Sequence, residues 1–256
     1  MSTERKDKIW VSGTPDLWHR HPGGSRQCPG CHQPLVEKIV ADVLGELNIA
    51  DNTIVVTGVG CSSRMALPIQ ADGILSAHGR APDVATGIKR VLKGRPVVLT
   101  LQGDGDCAAI GAGSLLNAAM RAEKITIIML NNTNFGMTGG QLSPTSLMEQ
   151  ATTTTPLGRS EDFGYPAHIP ELLVGIKGVS YTARSSVHTP AEYQRTKRYL
   201  KNALTAQIKK LGLSFLEIIV ACPADWHLTP LQALDFIQEN ILSEFPLGEF
   251  KKPSVL

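Results

Sequence analysis

The stretch PVVLTLQGDGDCAAIGAGSLLNAAMRAEKITIIMLNNTNFG, residues 96–136, decides the fold. It opens on an apolar, β-branched run, residues 96–101, that reads as a buried strand. The run breaks at the glycine-rich turn Gly103-Asp104-Gly105, and a helical stretch continues to about Arg121. Residues 125–130 (ITIIML) form another apolar run, ending at Asn131-Asn132. Residues 106–130, which separate the two polar motifs, spell one helix and one strand. A right-handed crossover sets the two parallel strands beside or near each other. Aspartate and asparagine oxygens can then meet at one hard cation such as Mg²⁺, which phosphate oxygens often complete. The glycines admit backbone N–H groups to those phosphates, and a helix N-terminus favours their charge. A lone GDG is equally well a tight turn; the two motifs together, at strand ends with this spacing, are specific.

Working outward, the same alternation recurs. Residues 34–47 place Leu35, Val36, Ile39, Val40, Val43, Leu44 and Leu47 at helical steps, with Pro34 suited to the first turn. Residues 53–59 read as a strand, 84–92 as a short helix, 179–183 as a strand and 190–211 as an amphipathic helix. Residues 213–220 read as a strand and 230–241 as a last helix. A long polar region, 133–170, interrupts the alternation, and such loops are more often functional than idle. The pattern predicts an α/β fold, a mostly parallel sheet with helices on both faces, with its ligand at the carboxyl ends of the strands. Residues 1–27, with Trp10 and Trp18 but no periodicity, read as an N-terminal arm, and residues 28–256 as a single domain.

Composition bounds the alternatives. The chain has 256 residues, 42% hydrophobic and 19% charged, which excludes a disordered chain. Its net charge of +2 gives no reason to expect nucleic acid as a partner. No apolar stretch approaches a membrane span, and residues 1–8 are polar without an apolar region behind them, unlike a secretory signal. The expected compartment is the cytoplasm, where five cysteines are thiols or ligands rather than disulfides.

Cys28-Pro29-Gly30-Cys31 is a C-x-x-C pair, Cys61 follows the first strand, and Cys222 follows the fifth. A thioredoxin-like reading is poor, because no strand precedes the pair. Cys28, Cys31, Cys61 and Cys222 could supply four ligands to zinc or to an iron–sulfur cluster. Spacing does not choose between them, and the cysteines in isolation slightly favour zinc. Cys61 shares its sheet edge with Asp104 and Asn132, however, and a redox centre there has a chemical purpose that zinc lacks. Cys107 reads as a small buried residue.

The pairing of GDG with NN is similar to the thiamine diphosphate motif. More widely, CPGC at 28–31, GVGCSSR at 58–64, HGRAPDVATGIKR at 78–90, GDGD at 103–106, NNTNFGMTGGQLSPT at 131–145 and Cys222-Pro223 resemble the β subunit of 2-oxoacid:ferredoxin oxidoreductases. These elements span about 200 of the 256 residues. The resemblance implies that Asp104, the Asn132 side chain and the Asn134 backbone oxygen hold Mg²⁺. It places the diphosphate on Gly60, Cys61, Ser62, His78, Gly103, Asp104 and Gly105. It lays the loop Phe135, Gly136, Met137 and Thr138 over the cofactor near the reacting carbon, and it makes Cys28, Cys31, Cys61 and Cys222 ligands of one 4Fe-4S cluster.

The implied activity is oxidative decarboxylation of a 2-oxoacid, 2-oxoglutarate favoured, to acyl-CoA and CO₂, with coenzyme A as co-substrate and electrons passed to ferredoxin. Arg64, three residues after Cys61, suits a substrate carboxylate, and Arg64 and Thr138 are the expected catalytic positions. In the family the glutamate that activates the aminopyrimidine comes from an α subunit, and γ and ferredoxin-like δ subunits are further expected partners of a hetero-oligomer. Glu123 and Glu149 flank the strand-end motifs without a supporting pattern. His32 departs from the family, where many relatives carry glycine. His188 and His227 read as structural, and Trp226 as a shield for the cluster. The alternatives are a branched-chain (2-oxoisovalerate) subunit, a non-redox thiamine decarboxylase or carboligase with zinc at the cysteines, and a non-catalytic protein with structural zinc.

Overall fold

The computed structural model describes residues 15–19 and 27–254. Most of the expected arm, with Trp10, lies outside the described residues. Within it, Trp18 forms a bridge to Ile69 and lies under the Lys38 ammonium, 4.8 Å from the ring centroid.

The core is one sheet of seven strands in the order β2-β1-β3-β4-β6-β5-β7. These are β1 (Thr53–Thr57), β2 (Asp72–Leu75), β3 (Val97–Gly103), β4 (Thr126–Asn131), β5 (Val179–Ser186), β6 (Leu213–Ile219) and β7 (Gly248–Lys251). All neighbours pair in parallel except β7, which runs antiparallel to β5. The central strands β3, β4 and β6 are buried on both faces, which is why they read as unbroken apolar runs.

Helices cover both faces. On one, α1 (Gln33–Glu46) and α5 (Pro190–Ile208) pack Ile39, Val43, Leu200 and Leu204 against Leu99, Leu101, Ile128 and Leu216. On the other, α2 (Ala81–Val91), α3 (Ala112–Met120) and α4 (Ile169–Val174) pack Ala85, Leu115, Ala119 and Leu173 against Val56, Val98, Ile127 and Phe215. Beyond β6 lie α6 (Pro223–Trp226) and α7 (Pro230–Phe236), which a π-helical turn, Ile237–Ile241, continues. These bury Ala233, Ile237 and Ile241 with Leu147 and Phe245.

Several boundaries differ from those read in the sequence. The first helix of the 84–92 region starts at Ala81, because Pro82 sits in the first turn where its missing N–H costs nothing. The expected 53–59 strand ends at Thr57, and the expected 190–211 helix ends at Ile208. The helix after GDG begins as a π-turn, Gly105–Ile110, with the Gly111 N–H bonded to the Asp106 carbonyl. The fifth strand runs on past Ala183 to Ser186. Strands β2 and β7, four residues each, were not expected.

Candidate active site

Because β1, β3, β4 and β6 are parallel neighbours, the segments that leave their carboxyl ends converge. Gly103 pairs with Leu130, so the GDG turn and the NN turn are adjacent. Asn131 pairs with Ile219, which brings Cys222 to the same edge. The GDG and NN turns border an open cleft. Its wall holds Gly60, Cys61, Ser62, His78, Gly103, Asp104, Gly105, Asn132, Asn134, Phe135, Gly136, Met137 and Thr138, together with Gln33, Val59 and Asp106. Arg64 is not in the wall: it is exposed, at the end of the 3₁₀ turn Cys61–Arg64.

Asp104 is fully buried. Burial pushes its carboxyl up to about 6, against hydrogen bonds from Thr145 and Ser143. Both hydroxyls donate to Oδ2, Thr145 at 2.5 Å and Ser143 at 2.7 Å, which leaves Oδ1 for another partner. The Asn132 amide faces that oxygen. In one orientation its Nδ2 donates to Asn134 Oδ1 at 2.7 Å. Its own oxygen then stands 3.0 Å from Asp104 Oδ1 and 3.2 Å from the Asn134 main-chain oxygen. Three oxygens thus face one another with no hydrogen between them. Octahedral Mg²⁺ at 2.0–2.1 Å from its ligands spaces adjacent oxygens by about 2.9 Å. The set fits that ion, and turning the amide over lets its nitrogen donate to both oxygens when no cation is present.

The turn that presents these oxygens is held from behind. Thr133 has a left-handed backbone, φ 57°, uncommon for a branched residue and a conformation that needs outside support. The Asn131 side chain supplies it by accepting the Thr133 N–H at 2.9 Å. Asn131 in turn donates to Glu217, Glu217 accepts from Arg184, and Arg184 meets Glu171 with both terminal nitrogens. Arg184 and Glu217 are both fully buried. Arg184 carries its charge into the sheet because two carboxylates and the Pro246 carbonyl receive it.

Asp106 is the residue that the sequence reading passed over. Its carboxylate accepts from the Gln102 amide at 2.6 Å, the Gly79 N–H at 2.8 Å, the Val59 N–H at 3.2 Å and His78 Nδ1. It therefore ties the ends of β1 and β3 to the loop before α2. A Cβ on Gly58 would lie 1.9 Å from this carboxylate, which explains glycine there. The signal in the sequence was the second acid of GDGD, at the head of an otherwise apolar helix.

The wall also carries orphaned polar atoms. Ser62 Oγ and Gln33 Oε1 are buried without a partner, and both residues line the cleft. Such groups are costly unless a ligand completes them. The Ser62 hydroxyl can donate to a phosphate and, together with the backbone of Gly103 and Gly105, suits a phosphate-bearing cofactor, whereas the Gln33 oxygen calls for a donor. Across the cleft, Phe135 lies edge-on to His78 at 6.4 Å. Its ring occupies the space a Cβ on Gly105 would take, 2.3 Å away.

Of the four candidate cysteines, Cys61 lies in the cleft wall. Cys31 responds electrostatically to Cys61 and Cys28, and Cys61 to Cys28 and Asp225. Cys222 donates to Asp225 Oδ2 at 3.2 Å. The CPGC loop abuts the Cys222 turn, since a Cβ on Gly30 would lie 3.1 Å from Pro223. Burial pushes the thiols of Cys31 and Cys222 up to about 12. Among the described residues, no three His, Cys, Asp or Glu side chains are gathered to hold a single metal ion. A cubane, which puts several irons between its thiolates, demands no such tight set. Burial also lowers the His32 imidazole to about 4, so it sits beside Cys31 uncharged. Trp226 donates to the Asn132 carbonyl at 3.1 Å, His188 bonds Ser186 and Gln238, and Cys107 is buried on the π-turn.

No glutamate among the described residues lines the cleft. Glu123 is buried against Arg90 and Arg121, and Glu149 lies in the loop outside the wall.

Comparison with known proteins agrees with this geometry. Residues 58–218 match the family model "Thiamine pyrophosphate enzyme, C-terminal TPP binding domain". The ketoisovalerate oxidoreductase subunit VorA of Methanothermobacter marburgensis is 36% identical over 234 residues, 91% of this chain and 49% of that one. The chain thus spans about half the length of that relative. The 2-oxoglutarate synthase subunit KorB of Archaeoglobus fulgidus is 31% identical over 240 residues, 94% of this chain and 82% of that one. A solved 2-oxoglutarate:ferredoxin oxidoreductase from Magnetococcus marinus, with 2-oxoglutarate, coenzyme A and succinyl-CoA bound, superposes with a TM-score of 0.75 at 25% identity. That match covers 93% of this chain and 84% of the other. From the paired strand-end motifs, the fold and these relatives together, the chain belongs to the thiamine pyrophosphate enzymes, among the β subunits of the 2-oxoacid:ferredoxin oxidoreductases.

Proposed function

We propose that this chain binds thiamine diphosphate and Mg²⁺ and serves a 2-oxoacid:ferredoxin oxidoreductase. The overall reaction converts a 2-oxoacid and coenzyme A to acyl-CoA and CO₂, and two electrons leave for ferredoxin. The observation that carries the reading is the set of three facing oxygens from Asp104, Asn132 and Asn134, with Cys61 in the same cleft wall. When bound, the cofactor supplies the electron sink for decarboxylation.

The chain's own residues place and enclose it. Asp104, Asn132 and the Asn134 carbonyl hold the cation. Ser62, His78 and the glycine-rich turns take the diphosphate, and residues 135–138 close over the cleft. Cys28, Cys31, Cys61 and Cys222 hold a 4Fe-4S cluster that receives the electrons. The absence of a glutamate in the described wall supports an α subunit that brings one, and γ and δ subunits would extend the electron path. The assembly works in the cytoplasm.

For the substrate we favour 2-oxoglutarate, because Arg64 stands on the same short turn as the wall residues Cys61 and Ser62. Arg64→Met is expected to raise KM for 2-oxoglutarate more than for 2-oxobutyrate, and equal effects would make it a structural or coenzyme A contact. The likeness to a ketoisovalerate subunit favours 2-oxoisovalerate as the second reading, and turnover of both acids by the assembled enzyme separates them. The nature of the metal is tested first, by iron, zinc and acid-labile sulfide content of anaerobically purified protein. About four irons and four sulfides per chain support the oxidoreductase. One zinc without sulfide would remove the electron path and leave a decarboxylase or carboligase.

A further inference from the structure

The main chain of the cation turn is held carbonyl by carbonyl. The Asn131 carbonyl accepts the Val220 N–H at 2.9 Å. The Asn132 carbonyl accepts the indole N–H of Trp226 at 3.1 Å, and the Thr133 carbonyl accepts the Ser146 hydroxyl at 2.6 Å. The next carbonyl, that of Asn134, faces the oxygen set instead. Trp226 reaches the turn from α6, with its ring 5.0 Å from that of Phe236 and against the apolar cluster that holds Ile237 and Ile241.

Two of the contacts at this turn hold a single peptide group. Its C=O belongs to Asn132 and is held by Trp226. Its N–H belongs to Thr133 and is accepted by the Asn131 side chain at 2.9 Å. Thr133 follows that group with φ 57°, a region that a branched residue occupies only when its surroundings impose it. Turning the peptide group over would return Thr133 to the extended region and relieve it, but would break both hydrogen bonds at once. We infer that Trp226 is a positioning residue for the cation site: its indole N–H, together with the Asn131 side chain, clamps the Asn132–Thr133 peptide and so keeps the Asn132 amide and the Asn134 carbonyl facing Asp104. Mg²⁺ demands near-octahedral geometry, so a small displacement of these two oxygens lowers affinity. The inference rests on the cation reading above and is independent of what the four cysteines hold.

The test uses the full chain with its cysteine site intact, stripped of divalent cation and titrated with Mn²⁺ in the presence of thiamine diphosphate. Mn²⁺ prefers oxygen ligands and therefore reports this set rather than the cysteines, and EPR measures the unbound ion. Trp226→Phe keeps an aromatic ring against Phe236 and deletes the N–H. Its Mn²⁺ dissociation constant is expected to rise about tenfold, from the lost hydrogen bond and the loosened turn. A second replacement, β-(3-benzothienyl)alanine at position 226, keeps the shape of the indole with sulfur in place of the N–H, and it should weaken binding as Trp226→Phe does. Ile241→Val thins the same apolar cluster without touching the turn, and its dissociation constant should stay within about twofold of wild type. Wild-type affinity in either replacement at 226, or an Ile241→Val protein as weak as Trp226→Phe, overturns the inference and leaves the cation reading standing. A wild-type chain that binds no Mn²⁺ with the cofactor overturns both.

Discussion

His78 gives its Nδ1 to the buried carboxylate of Asp106, and the same carboxylate receives three further donors, from Val59, Gly79 and Gln102. With a carboxylate as its partner, Nδ1 is the donor of the His78 ring, and the residue lies in the cleft wall. Asp106 is a positioning residue for the cofactor cradle, acting through His78 and two backbone amides. Asp106→Ala should strand buried donors at about 1–3 kcal/mol each and weaken thiamine diphosphate binding at least tenfold. Asp106→Asn should recover most of both, because Gln102 can turn its amide over to meet the new nitrogen. Calorimetric titration and urea unfolding of the three proteins decide this. An Asn variant as poor as the Ala variant would mean that the charge matters rather than the geometry.

Gly105 and Phe135 share one volume. Gly105→Ala would put a methyl group 2.3 Å from the Phe135 ring, and overpacking of this kind costs about 1–3 kcal/mol. The ring should be displaced into the cleft and cofactor affinity should drop about tenfold. Phe135→Leu in the same chain should restore affinity toward wild type. If the double variant binds no better than Gly105→Ala, the backbone of the turn rather than the ring is at fault.

The buried pair behind Asn131 sets the stability of the metal turn. Arg184→Met would leave Glu217 and its charge in the sheet with Asn131 as its remaining partner. Breaking a buried pair by removing one member costs about 3–5 kcal/mol. Arg184→Met with Glu217→Gln should recover part of that loss. Urea midpoints of the single and double variants check the order.

These cases also show what could be read in the sequence. The apolar runs of β3 and β4 and the two motifs at their ends gave away the parallel sheet and the cofactor edge, because burial on both faces leaves an unbroken signal. Strand β2 (Asp72–Leu75) is exposed along its whole length, and β7 has no fully buried residue, so neither had a hydrophobic pattern to betray it. Arg184 ended the predicted 179–183 strand, since a charge reads as the end of an apolar run; Glu171 and Glu217, which neutralise it, lie on other elements. Asp106 acts through contacts from other elements, which no local spacing records, and Gln33 reaches the cleft wall from the start of α1.

Glu37 predicts a pH effect. Burial pushes its carboxyl from 4.5 up to about 7, against a long hydrogen bond from Trp18 and the Lys38 charge. The folded chain thus keeps a proton that the unfolded chain has released. Between pH about 4.5 and 7 stability should therefore fall as pH rises, by up to roughly 3 kcal/mol. Glu37→Gln should flatten that slope and be the more stable protein at pH 8. Urea unfolding of both at pH 5 and pH 8 tests it, and parallel slopes would count against a buried proton on Glu37.

The long loop between β4 and α4 is gathered by a single buried side chain. Arg159 donates to the carbonyls of Ser143, Pro144, Ser146, Phe163, Gly164 and Tyr165. None of these acceptors titrates, and all sit where mobile ions screen poorly. The segment that carries Ser143 and Thr145 to Asp104 therefore keeps its shape through acidification and through high ionic strength. Conditions that dissolve surface ion pairs would leave the cradle standing, so loss of the cofactor in acid would come from protonation of Asp104 or of the ligand itself, and in salt from competition, not from collapse of the loop that frames its seat.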